Sequence, residues 1–336
     1  MKLGRSLYCP AILLLIASVT AAFARSPQKL DTIRLICLPG VPLPVVVGNM
    51  NGTFAKYGIE VQPEKASDAI QVKSDLASGK ADMAHSAVEN AVVMDDTGQA
   101  NVVIVMGGEG STSELIVQPT IPSVKDLRGK TVITDGPDTA YTLTLKKILL
   151  LNGLKEGADY ELKVVGTSRA RLNAMKENKT YAATIQKPPT SILAERAGMK
   201  SLGLTQDLMH TGSSQGIGGF VQRQWARDHA NLLERYIAAF IEAQRWLMSP
   251  ENKQEAINLV MKDERVPEDI AAATYETDIQ NGWSKDAVFL AKGFQDDLKL
   301  KAEFDTASGG KAPSAKKYYD LSYYQKALNL ANSKKR

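Results

Sequence analysis

The chain has 336 residues, 44% of them hydrophobic, and a formal net charge of +4 at pH 7. That length can bury a sizeable core and favours two domains over one. A charge so close to zero, with Lys and Arg scattered along the chain, argues against a nucleic-acid partner.

The first element in chain order is a sorting signal. Lys2 and Arg5 make a positive start, Ala11–Thr20 is almost wholly apolar, and Ala22-Phe23-Ala24 is a small-residue cleavage site. The apolar run falls short of the roughly 20 residues that span a bilayer. Cys9 precedes that run, so it is not placed to become a lipid-bearing N-terminus. Cleavage is expected after Ala24, leaving residues 1–24 as a signal peptide; losing Lys2 and Arg5 takes the net charge from +4 to +2. Only Cys37 then remains. An exported chain with one cysteine has no internal disulfide and depends on its core.

From Leu30 to Val117 strand and helix signals alternate. Ile33–Leu38 is an apolar strand, Pro44–Ala55 a helix with Pro at its start, Ile59–Pro63 a strand and Ala69–Ser78 a helix. Gly79 is suited to the left-handed conformation that closes that helix. Ala81–Ala84 reads as a short buried strand, and Ser86 and Glu89 have capping-box spacing ahead of a Val88–Met94 helix. Val102–Met106 is the next strand. Such alternation implies β-α-β units and a mostly parallel sheet.

The grammar then restarts. Thr131–Thr134, Glu161–Val165, Ala182–Gln186 and Lys200–Leu204 read as strands, with helices over Thr142–Leu151, Arg169–Lys176 and Ile192–Ala197 between them. After Trp225 the signals are helical throughout. Asp228 is a candidate cap for a helix whose apolar face is Leu233, Ile237, Phe240, Ile241 and Leu247. Further helices fit Lys253–Met261, Glu268–Ile279, Lys285–Leu300 and Ala315–Ala331. They are expected to coat the lobes instead of forming a third domain.

In this order the motifs resemble a family. Leu43, Gly48–Gly58 with Ile59-Glu-Val61, Leu76–Ala84, Val124–Val132 with Gly136-Pro137, Leu149–Leu154 and the Pro188…Ala197-Gly198 spacing are similar to solute-binding proteins of ABC importers. The resemblance is to the nitrate/sulfonate/taurine type, whose relatives include thiamine-pyrimidine-binding proteins. It implies an α/β, periplasmic binding protein type II-like fold: two α/β lobes with a hinge and a helical C-terminal third. Lobe 1 is then expected over 25–117 and 222–336, lobe 2 over 118–221, with crossings near Glu114–Gln118 and Gly216–Val221. One departure is Tyr181-Ala-Ala-Thr-Ile-Gln186, where such proteins usually carry an acidic Asp-Ala; this weakens any transfer of ligand identity.

Ligands of open α/β sheets bind at the carboxyl ends of strands. That rule selects Pro42 and Leu43 in the rigid Pro39–Pro44 lip, and His85 and Ser86 after the third strand. It also selects Glu109 and Ser111 in the Gly107–Ser113 loop, whose glycines permit close backbone approach. In the second half it selects Asp138 and Thr139 at a helix start, Thr167 with Arg169 and Arg171 close by, and Gln186 beside Lys187. Each has an ordinary structural reading too, as helix cap, turn or solvated face.

Catalysis finds less support. Gly212-Ser-Ser-Gln-Gly216 fits Gly-x-Ser-x-Gly, but no strand-to-helix turn surrounds it. His85, His210 and His229 are the only histidines and show no metal-ligand spacing. The expectation is a non-enzymatic, monomeric periplasmic binder without cofactor or metal. It would take a sulfonate, carboxylate or pyrimidine-class solute to an ABC permease in the inner membrane. An enzyme similar to pyrimidine-synthesising relatives, or a ligand-sensing module for a membrane receptor, are the alternatives.

Overall fold

In a computed structural model the described residues are 29–110, 112–137, 139–211, 214–304 and 309–333, without the side chain of Glu109. The expected signal peptide and its cleavage site lie outside them, as do Ser111 and Asp138. The first lobe opens with β1 (Asp31–Cys37), α1 (Leu43–Met50), α2 (Thr53–Lys56), β2 (Ile59–Lys65), α3 (Ala69–Ala77), β3 (Met83–Ala87), α4 (Glu89–Asp96) and β4 (Val102–Gly110). The second lobe holds β5 (Glu114–Val117), β6 (Lys130–Thr134), α5 (Ala140–Leu151), β7 (Tyr160–Val164), α6 (Ser168–Glu177), β8 (Tyr181–Gln186), α7 (Thr190–Arg196), β9 (Lys200–Leu204) and α8 (Thr205–Leu208). The chain returns through β10 (Gln215–Gln222) and ends in α9 (Arg223–Asp228), α10 (Ala230–Leu247), α11 (Lys253–Glu264), α12 (Glu268–Thr277), α13 (Ala291–Phe304) and α14 (Ser322–Ser333).

Two five-stranded mixed sheets result, ordered β2-β1-β3-β10-β4 and β7-β6-β8-β5-β9. This is the expected two-lobed α/β architecture. The crossings sit elsewhere than expected: the chain changes sheets between Gly110 and Glu114 and between Leu204 and Gln215. Glu114–Val117 pairs antiparallel with β8 and β9, while β10 runs antiparallel between β3 and β4. Both segments read as connectors because Gly-rich sequence adjoins or interrupts them, yet both are sheet strands. Gly219 brings β10 close against its neighbours, since a Cβ there would come within 2.4 Å of Met83 Cε and 2.7 Å of Met106 Cγ, side-chain atoms that would have to move.

Strand pairing also overrides the expected capping box. β3 runs to Ala87 because Ser86 and Ala87 pair with Gly218 and Ile217 of β10. Ser86 is therefore a buried strand residue, accepting from Asn90 Nδ2 at 2.9 Å, and Val88 stands at the start of α4 with no side-chain cap. Gly79, at φ +74°, does end α3 as its position implied.

The C-terminal helices coat the lobes. α10 buries Leu233, Ile237, Phe240, Ile241 and Leu247, the expected face, and packs on α14, α1, α2 and β2; each such side chain is worth about 1.5–3 kcal/mol when fully buried. His229, not Asp228, precedes this helix, and Asp228 instead accepts from Gln224 at 2.8 Å. The expected Ala315–Ala331 helix is broken. Tyr318 O accepts from Ile104 N and Asp320 N donates to Ile104 O, both at 2.9 Å, so Tyr318–Asp320 covers the open edge of β4. The α13 helix starts at Ala291 instead of Lys285, because Val288 and Phe289 lie directly against the backbone at Gly107.

Candidate functional site

A cleft of about 690 Å³, counting its open mouth, lies where the lobes and the C-terminal helices meet. One wall is the segment Pro39–Leu43, which leaves the carboxyl end of β1 and leads into α1. Ile217 of β10 borders it. Lys187 and Pro188, just past β8, bring in the second lobe. The remaining wall comes from Val260, Asp263 and Glu264 of α11, Thr274 of α12, and Asp278 and Trp283 beyond it. Strand ends from both sheets therefore face one space, as the rule for open α/β sheets requires.

The charged lining is one lysine and three carboxylates. Glu264 keeps solvent contact, yet the crowding around it raises its carboxyl above the ordinary range. Asp263 adds to that rise; Lys187, Arg169 and Lys65 oppose it. Glu264 thus feels cations from both lobes. The start of α1 offers little to an anion. Pro44 has no N–H, and the amides of Val45 and Val46 both donate to Pro42 O, at 2.8 and 3.2 Å, so Leu43 supplies the remaining amide of that turn.

Of the residues selected from sequence, Pro42 and Leu43 lie on this cleft. The other candidates whose side chains are described are held elsewhere. Thr139 and Thr167 cap α5 and α6, accepting from Thr142 N at 3.2 Å and Ala170 N at 3.3 Å. Gln186 is buried, donating to Ser168 O at 3.0 Å and accepting from Thr190 Oγ1 at 2.8 Å. Arg171, close to Thr167 in sequence, is 1% exposed and turned into the second lobe, whereas Arg169 is exposed. Glu109 is the last residue but one of β4, its side chain outside the described residues. The α11–α12 wall had no signal in the sequence, because it is brought to the cleft by packing from more than 200 positions downstream of Pro39.

His85 lies in the core, away from the cleft wall. Its ring stacks on Phe240 with centroids 5.0 Å apart, and Nε2 lies 3.1 Å from the Tyr236 hydroxyl. Burial pulls its pKa from 6.5 down to about 3. The stability this neutral imidazole lends is complete above pH 6.5 and is lost as pH falls toward 3. At about pH 4.5 the loss is expected on the order of 2–3 kcal/mol. Urea titrations at neutral and acid pH should show it, and His85→Phe should remove that part of the pH dependence.

Ser214, the central residue of the Gly-x-Ser-x-Gly run, precedes a strand and donates to Asp297 at 2.7 Å. That is not the strand-to-helix elbow of a hydrolase nucleophile. Among the described residues no group of three His, Cys, Asp or Glu side chains could hold a metal ion, and no helix is long and apolar enough to cross a membrane.

The two sheets, their double crossing and the cleft between them define the class: a two-lobed α/β protein of the periplasmic binding fold. The chain belongs to the NMT1-like family, whose profile matches residues 40–261. Solved structures share the fold. The putative sulfonate-binding protein SsuA of Methylobacillus flagellatus KT superposes with a TM-score of 0.70 at 18% identity, over 91% of this chain and 96% of that one. SsuA of Escherichia coli, an aliphatic sulphonate binder, gives 0.69 at 16% identity, covering 88% and 93%. The nitrate-binding protein NrtA of Synechocystis PCC 6803 gives 0.68 at 14% identity, covering 91% and 90%. A comparison with curated protein sequences finds no match.

Proposed function

We propose that this chain is a periplasmic solute-binding protein. It captures a small polar organic solute between its lobes and delivers it to an ABC permease in the inner membrane. The observation that carries this reading is the cleft itself, walled by strand-end loops of both sheets and by α11 and α12. Closure around a solute that touches both lobes stabilises the closed state by the difference in its affinity for the two states. The leader expected over residues 1–24 would deliver a monomer to that compartment.

Within the sulfonate, carboxylate and pyrimidine classes, the lining favours a solute that carries an amine, such as a substituted pyrimidine. Asp263, Glu264 and Asp278 outnumber Lys187 on the walls, and α1 presents few amides to an anion. Lys65 and Arg169 offset Glu264 from outside the lining, and the exposed Asp263 beside it is the carboxylate placed to meet a positive group. Pro39–Leu43 and Trp283 supply apolar faces for a flat ring. Titration calorimetry with aminopyrimidines, alkylsulfonates, nitrate and carboxylates tests this. An aminopyrimidine is expected to bind, and Asp263→Asn to weaken it about tenfold. Binding of a sulfonate or nitrate alone would overturn the solute class, and no heat with any class would count against the function.

A further inference from the structure

The α13 helix reaches both lobes and also holds the returning crossover. On the first lobe, Phe294 is fully buried beside Phe289 and Tyr318, at ring distances of 5.4 and 6.2 Å. One turn later, Asp297 accepts from Ser214 Oγ at 2.7 Å and from Gln215 N at 2.9 Å. Those residues mark the place where the chain re-enters the first sheet. Gln215 ties the joint again, its Oε1 accepting from Leu290 N, just ahead of the helix, at 2.7 Å. On the second lobe, Leu300 packs against the core and Glu303 pairs with Lys147 of α5 at 2.7 Å.

We propose that α13 is a strap setting the angle between the lobes, with Asp297 as its pin on the crossover, and that raising the pH loosens the pin. This goes beyond solute capture and holds whether or not a solute is present. The groups facing Asp297 are Glu89 from the start of α4, Ser214 and the Gln215 amide from the crossover, and Asp296 on its own helix. Lys301, one turn further along α13, acts on Glu89, and Asp296 is occupied by Lys292 and Lys299. Burial first, and the neighbouring Glu89 second, push Asp297 up to about 8. Its proton is thus retained at neutral pH although the bonds from Ser214 and Gln215 favour the carboxylate, because burial and Glu89 outweigh them. Above that pH a carboxylate sits beside Glu89 in a part-buried seam, and opening relieves it.

The direction follows from linkage. Asp297 holds its proton more tightly when pinned than when exposed, where the ordinary value is 3.8. Pinning is therefore strongest in acid and weakens as pH rises toward 8, by up to about tenfold per unit, with no further change above.

Spin labels at Ser74→Cys in the first lobe and Lys176→Cys in the second report the angle by double electron–electron resonance, without added solute. Both positions are exposed. The wild-type distance distribution is expected to be narrow at about pH 6 and to gain a second population at about pH 9. Asp297→Asn, which cannot ionise, should give the same distribution at both pH values. A pH-independent wild type, or a pH response that survives in Asp297→Asn, would overturn the strap. Should that variant not fold, Glu89→Gln decides: removing the neighbouring charge lowers the pinned pKa of Asp297, so the second population gained between about pH 6 and pH 9 must shrink, and an unchanged gain overturns the proposal. None of these outcomes bears on solute binding.

Discussion

Replacing Arg171 with methionine is expected to cost about 3–5 kcal/mol and to lower the melting temperature by roughly 10 °C. The guanidinium lies 1% exposed on the inner face of α6. Its Nε donates to Thr184 Oγ1 at 3.0 Å, its Nη2 to Ile185 O at 3.0 Å and Ser168 Oγ at 3.3 Å, and its Nη1 to Gly166 O. The Tyr141 ring covers it at 5.6 Å. Burial lowers its pKa, opposed by Asp135. One side chain thus ties the end of β8 to the start of α6, the corner behind Lys187 and Pro188. Methionine fills the volume but leaves the buried Ile185 carbonyl and the part-buried Gly166 carbonyl without their donor, and that deficit sets the size of the effect. Lysine should not rescue it, because a point ammonium cannot reproduce the planar fork. Guanidinium unfolding of Arg171→Met, Arg171→Lys and, as a control, the exposed Arg169→Met would check this. The control should stay within about 0.5 kcal/mol of wild type.

Gly107→Ala is expected to cost about 2–3 kcal/mol, the largest effect for a single added methyl. A Cβ there would lie 2.2 Å from Val288 O, 2.5 Å from Val288 C and 2.8 Å from Phe289 N. All three atoms are backbone, so no rotamer change relieves the clash, and the segment leading into α13 must lift from β4. Limited proteolysis should then cut near residues 284–290 faster than in the wild type, alongside the loss in denaturant midpoint. Gly40→Ala is the matched control, since a Cβ there meets nothing within 4 Å; it should be neutral within about 0.5 kcal/mol.

These two positions show what the sequence could and could not reveal. The alternation of apolar runs and glycine stops located the strands, because strand period and helix stops are local properties. Arg171 looked like a solvated helix residue because a single arginine in a polar helix gives no sign of which face is buried. The glycines of β10 looked like a hinge, although they pair with β3 and β4 as a sheet strand, with Gly219 packed close on Met83 and Met106. Ser86 and Glu89 had the spacing of a cap, but pairing with β10 claimed Ser86. At the cleft, the Pro39–Leu43 wall was legible because it directly follows a strand. Asp263, Glu264 and Trp283 were not, since tertiary packing alone brings them there.

The central claim is that the space between Pro39–Leu43 and Lys187–Pro188 holds a small polar organic solute. Native mass spectrometry of the mature protein, after incubation with a nutrient mixture and desalting, tests it most directly beside a Leu43→Trp variant that fills the cleft. One solute retained at one-to-one stoichiometry by the wild type and absent from Leu43→Trp is the predicted result. No retained solute, or one retained equally by both proteins, would contradict the account.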